Sequence, residues 1–196
     1  ITSATAAAHT LTDTTGTNRV YYTTISSSTA TGGANWLAYT SDGNTDGGGN
    51  TGWVFNAPPD APSSLGPSAF TSGSWTASTT PQLTFSLSDP NAADTVKYQI
   101  QISTSSAYAS QTIDYTSALM ATGTVAFTVG QAAGSGSYTL GSASQTLSDN
   151  SYYWRVMATD NSSATSTWAN ASSGIAFKID TTAPSGGSIT FTDGYY

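Results

Sequence analysis

Residues 152–158 place the tightest constraint on what this chain can fold into. Tyr152, Trp154, Val156 and Ala158 fall on one side of an extended backbone, and Tyr153, Arg155 and Met157 on the other. Alternation of this quality, opened by Ser148-Asp149-Asn150-Ser151 and closed by Asp160-Asn161, predicts a half-buried β-strand over 151–160. Leu147 precedes Tyr152 across the turn. A buried tyrosine at such a corner, its hydroxyl bonded back to upstream backbone and a leucine beside it, is a feature of β-sandwich domains. An aromatic strand face needs a second layer to cover it, so the flanking sequence must supply more strands.

Composition agrees. Only 37% of residues are hydrophobic, so a core must come from sparse alternating positions rather than long apolar runs. Ser, Thr, Gly, Ala and Asn fill most other places, which favours strands and turns, and no long segment has helical periodicity. The expected class is all-β.

Charge excludes two kinds of partner. The eleven acidic residues are all aspartate, against Arg19, Lys97, Arg155 and Lys178, and the net charge is −7. Four scattered cations cannot neutralise a run of phosphates, so nucleic acid is not expected. An anionic membrane surface is disfavoured for the same reason, and no apolar run is long enough to insert into a membrane. Low charge with abundant Ser and Thr points to an extracellular or cell-surface setting. There is no cysteine, so neither disulfides nor thiolate metal sites enter the argument.

Residues 1–56 read as short β-prone runs separated by Gly, Asn, Asp and Ser clusters. Stacked as rungs, they would bury Leu11, Val20, Tyr22, Ile25, Trp36, Leu37, Trp53 and Phe55 in one column. The STATGGANW step (28–36) and the GGGNTGWVF ending (47–55) resemble the closing rungs of right-handed parallel β-helices in large bacterial surface proteins. Residues 57–67 hold four prolines and are expected to be a stiff linker.

Residues 68–181 contain about seven strand signals, around Leu83–Leu87, Val96–Ile102, Ile113–Tyr115, Val125–Val129, Tyr138–Leu140, Ser151–Asp160 and Ile175–Ile179. The segments TPQLTFSLSDP, VKYQIQIS, LSDNSYYWRVMATDN and FKIDTTAP resemble fibronectin type III-like, immunoglobulin-like repeats of bacterial surface proteins. That resemblance implies a fibronectin type III-like sandwich, preceded by a β-solenoid-like segment. It also implies that 182–196 are a linker and an orphan strand, the first of a following domain or a donor strand. The chain begins at Ile1 without methionine or signal peptide and is expected to be processed or part of something longer. Ile189, Phe191, Tyr195 and Tyr196 are the candidate assembly residues, acting on adjoining domains or on copies of the same chain.

Candidate chemistry is sparse. Asp42, Asn44 and Asp46, followed by Gly47, repeat the first half of a calcium loop. The twelfth position is Trp53 where a bidentate acid is needed, and a glycine-rich coil turn has the same sequence without metal. A second cluster, Asp89, Asn91 and Asp94 before one strand and Asp160 and Asn161 after another, would meet only if two loops share one end of the sandwich. Solvated turns are the preferred reading there. His9 is the single histidine, with Asp13 four residues on, but no activated serine accompanies them. Without glutamate, a glycosidase would need two paired aspartates. Trp75 and Trp168, with Tyr108, Tyr115 and Tyr153, are candidates for a glycan-stacking face.

The expected function is a non-enzymatic extracellular module serving as stalk, spacer or filament subunit of a bacterial cell-surface structure. It would assemble head-to-tail through its terminal strands. An adhesin-type module binding carbohydrate or protein is the alternative, and calcium is the one cofactor the sequence suggests.

Overall fold

A computed structural model describes residues 8–183 and 185–187. The chain is all-β, with two single-turn 3-10 helices at Thr40–Asp42 and Ser68–Phe70. The assembly residues Ile189, Phe191, Tyr195 and Tyr196 lie outside the described residues.

The first region winds as a parallel coil. Strands β1 (His9–Thr12), β2 (Thr17–Arg19) and β3 (Thr24–Ile25) are followed by β4 (Ser28–Thr31), β5 (Asn35–Leu37), β6 (Thr45–Asp46) and β7 (Trp53–Val54). Strand β1 pairs with β4, β2 with β5, β5 with β7, and β3 with β6, all parallel. Parallel neighbours need a full circuit of chain between them, and here the circuit is the coil itself. Asn18 sits beside Trp36, and Trp36 beside Trp53. The two indoles meet edge to face at 5.3 Å. Ile25, Ala30 and Ala38 are buried. Tyr22 was expected in this interior, but it is 87% exposed. Its φ of 50° lies in the left-handed region and turns the side chain outward, where the ring covers Gly43 in the next coil.

The proline-rich segment does not behave as a free spacer. Ala57, Pro59 and Pro62 are buried, and Ser63–Gly66 form a strand, β8. The second β-unit therefore begins five residues before the expected boundary at 68. Pro62 and Pro67 bracket β8 at its ends, where a missing N–H costs no ladder bond.

Nine further strands follow: β9 (Ser74–Thr76), β10 (Gln82–Leu87), β11 (Val96–Ser103), β12 (Gln111–Thr116), β13 (Gly123–Thr128), β14 (Ser137–Leu140), β15 (Asn150–Asp160), β16 (Ala169–Asn170) and β17 (Phe177–Ile179). One sheet runs β13-β10-β8. The other runs β14-β12-β11-β15-β17-β9, with β16 also on β15. Leu83, Phe85 and Phe127 of the first sheet share one core with Tyr98, Ile100, Trp154, Val156 and Phe177 of the second. The rings of Phe85 and Tyr98 meet across it at 4.9 Å. Each such buried side chain contributes about 1.5–3 kcal/mol.

The corner forms on Tyr152, which is 1% exposed. Its hydroxyl donates to the Ser148 carbonyl at 2.9 Å, and Leu147 is buried beside the same core. Trp154 is core as well, with its indole N–H donating to the Phe70 carbonyl at 2.7 Å. The outer face of β11 carries a polar network. There Gln101 is buried and bridges Arg155 Nε at 2.9 Å and Asp114 at 2.8 Å.

Candidate metal centre at the junction

The coil ends at Asn56, and from there the chain is bonded directly to one end of the sandwich. The Asn56 side-chain amide donates to Asp160 Oδ2 at 2.7 Å. The Ala57 N–H donates to Asn91 Oδ1 at 2.9 Å, and Asn91 Nδ2 reaches Thr40 Oγ1 in the coil. Four residues further on, the Asp60 N–H donates to the Ser88 carbonyl at 3.1 Å, and the Ser88 hydroxyl donates back to Asp60 Oδ2 at 2.9 Å.

Two loops meet here because β11 and β15 are adjacent and antiparallel. Val96, which starts β11, sits opposite Asp160, which ends β15. The β10–β11 loop thus lies beside the exit of β15, and Asp89, Asp94 and Asp160 come together. One carboxylate oxygen from each lies within 4.8 Å of the other two.

Their oxygens are not equally satisfied. Asp160 is 2% exposed, and its Oδ1 accepts the N–H groups of Ser162 at 2.9 Å and Ala164 at 2.8 Å. Asp89 Oδ1 accepts the Asn91 N–H at 2.7 Å. Asp89 Oδ2 and Asp94 Oδ2 are closed off from solvent and have no hydrogen-bond partner. Burial pushes the Asp89 carboxyl above its usual range, against the Asn91 N–H that lowers it, and the charges of Asp94, Asp160 and Asp60 add to the rise. The ion pair found among the described residues, Arg19–Asp42, lies elsewhere. A depression of about 330 Å³ lined by Thr40, Phe55, Asn56, Asn91 and Asp94 opens beside the cluster.

The other candidate residues have different roles. Asp42 takes the Arg19 guanidinium through both oxygens, at 2.7 and 2.8 Å, and that hydrogen-bonded pair lowers its pKa. Asn44 is buried, accepting the Thr23 N–H at 3.0 Å and donating to the Val20 and Tyr39 carbonyls at 2.8 and 3.0 Å. Asp46 Oδ1 accepts from the Gly48 N–H at 2.9 Å and Asn50 Nδ2 at 2.7 Å. Asp42 and Asn44 act as staples between successive coils, whereas Asp46 closes its own turn. In this arrangement the side-chain oxygens of Asp42 and Asn44, and Oδ1 of Asp46, are engaged in hydrogen bonds.

His9 and Asp13 do not pair. Asp13 is engaged by the Asn18 side-chain amide at 3.0 Å and the Thr15 N–H at 3.4 Å, while neither nitrogen of His9 has a hydrogen-bond partner.

Trp75 lies on β9, and Trp168 immediately precedes β16. Trp75 is 66% exposed on β9, with Lys178 Nζ 5.2 Å from its ring centre. Trp168 is covered by the Arg155 guanidinium at 4.2 Å, which lies against Tyr108 at 4.1 Å as well. One face of the Trp168 ring is thus taken by a cation.

No protein-family model, curated protein or solved structure matches this chain. Among the described residues, no helix is long and apolar enough to cross a membrane.

Proposed function

We propose that this chain is a non-enzymatic structural module of the extracellular surface, a spacer or stalk segment in which a β-helix-like coil is fixed to a fibronectin type III-like sandwich. The observation that carries this reading is the junction. A tethering linker would leave the two units joined only by chain. Here Asn56, Ala57 and Asp60 are each hydrogen-bonded to the sandwich, and Ala57, Pro59 and Pro62 are buried. Buried proline limits the backbone freedom available to a hinge, and direct bonds from coil to sandwich oppose bending. Low charge and Ser/Thr-rich surfaces suit the extracellular setting. Head-to-tail assembly through 182–196 belongs to the same reading, since unpaired strand edges are the common route to open-ended polymers.

Spin-label distance measurements test it. The chain has no cysteine, so Thr15→Cys and Ser142→Cys place one label on the coil and one on the sandwich without background. The proposal expects one narrow distance distribution. A broad distribution spanning tens of ångströms would refute a fixed spacer.

A further inference from the structure

We propose that Asp89, Asp94 and Asp160 form a calcium site that closes the junction between the coil and the sandwich.

The spacing of the oxygens is the first argument. Calcium binds oxygen at about 2.3–2.6 Å, so two ligands of one ion are at most about 5 Å apart. One oxygen from each aspartate falls within 4.8 Å of the others, the separation that ligands of a single ion require. Aspartates in solvated turns have no reason to converge, and like charges this close repel.

The burial of two of these oxygens is a feature separate from their clustering. Asp89 Oδ2 and Asp94 Oδ2 are both removed from solvent without a hydrogen-bond partner. A buried carboxylate oxygen left without a donor is costly, and buried charges are ordinarily paired or bound to metal. Asp89 Oδ1 accepts from Asn91, and the two oxygens of Asp160 accept from Ser162, Ala164 and Asn56. These bonds fix the orientation of two of the carboxylates and leave the unpartnered pair for the ion.

The donor set selects the metal. All three ligands are carboxylates, with no cysteine in the chain and no histidine in the group, which disfavours zinc and copper. Neutral oxygens of Thr40, Asn56 and Asn91 line the adjacent opening, which provides an access route and room for water ligands. Mixed carboxylate, amide and water oxygens suit the irregular six- to eightfold shell of calcium better than the octahedron of magnesium.

The consequence is mechanical. Asp89 and Asp94 belong to one sandwich loop, Asp160 ends β15, and Asn56 of the coil is bonded to Asp160. An ion bound here ties both sandwich segments together and orders the acceptor that holds the coil. The site stands on its own geometry, and only this mechanical role rests on the spacer reading.

Calorimetric titration of the chelator-stripped full chain with calcium tests the site. The expected result is one ion per chain, a calcium-dependent rise in melting temperature, and at least tenfold weaker binding of magnesium. Asp94→Asn should weaken calcium binding tenfold or more. Without calcium it should melt no lower than the parent, since it removes a charge and breaks no hydrogen bond. Asp46→Asn, in the coil, should leave calcium binding unchanged. Absence of both heat and melting shift at millimolar calcium would overturn the site, as would unchanged binding in Asp94→Asn. The spin-label pair, measured with and without calcium, separates the two proposals. A narrow distribution without any calcium binding retains the spacer and removes the metal, whereas calcium binding with a broad distribution does the reverse.

Discussion

The side chain of Asn56 donates to the carboxylate of Asp160 at 2.7 Å, joining the end of the coil to the end of β15 across 104 residues of sequence. Asp160 is itself held by the Ser162 and Ala164 N–H groups, so the acceptor is fixed before the coil reaches it. Hydrogen bonds to charged acceptors contribute about 1.5–3 kcal/mol. Asn56→Ala should therefore destabilise the chain by about 1–2 kcal/mol. It should also make the coil melt before the sandwich, seen as a second transition in urea unfolding. A single transition at the parent midpoint would show that the bond does not couple the two units.

The corner tyrosine allows a cleaner measurement. Tyr152→Phe keeps the stacked contact with Phe177, whose ring centre is 5.3 Å away, and removes only the hydroxyl's bonds to the Ser148 carbonyl and side chain. The expected loss is about 1 kcal/mol, and Tyr152→Ala should cost about 3–5 kcal/mol through the cavity it leaves. Equal losses in the two variants, measured by urea unfolding, would contradict this division.

Gly52 has a φ of 76°, and a Cβ there would run into the Ala30 carbonyl of the preceding coil. Gly52→Ala should cost more than the roughly 1 kcal/mol of a positive-φ substitution alone, because the parallel circuits must also separate. Amide exchange should report it as lost protection at Ala30 and Ala38, whose N–H groups bond to Thr51 and Val54, with β11 and β15 unaffected. Uniform loss of protection throughout the chain would place the effect elsewhere.

At the other end of β15, Asp149 accepts the Thr181 hydroxyl at 2.8 Å, the Thr181 N–H at 3.0 Å and the Thr182 hydroxyl at 2.9 Å. The Thr181 hydroxyl, its N–H and the Thr182 hydroxyl lower the Asp149 pKa. A lowered folded pKa means that the ionised form is bound more strongly in the native state. The stabilisation is present above the unfolded value of about 3.9 and is lost as pH falls through the lower folded one. NMR titration should give an Asp149 midpoint below about 3.9, with the Thr181 amide shift following it. A midpoint at or above that value would contradict the strap.

These relationships differ in how far the sequence discloses them. The alternation of Tyr152, Trp154, Val156 and Ala158 exposes β15 directly, because a half-buried strand writes its face into every second residue. Strand β4 is faintly marked: only Ser28 and Ala30 are buried, and both are small, with little hydrophobic contrast to their neighbours. Strand β8 is masked by the prolines on either side of it. Tyr22 misleads because hydrophobicity does not report a left-handed backbone. The metal-like spacing at Asp42, Asn44 and Asp46 is local in sequence, yet Asp42 and Asn44 serve cross-coil bonds that only the stacking creates. Asp89, Asp94 and Asp160 show the opposite case. Their convergence depends on the pairing of Val96 with Asp160, so no spacing rule contains it. The available clue is a pair of aspartate-bearing turns, one entering and one leaving strands that prove to be neighbours.

The direct test of the central claim, that the coil and the sandwich form one fixed unit, is a set of backbone residual dipolar couplings in calcium-containing buffer. Couplings from residues 8–56 and from residues 63–183 should fit a single alignment tensor of common magnitude and orientation. Two tensors of different magnitude would mean that the coil reorients on the sandwich, and the account of the junction would fail.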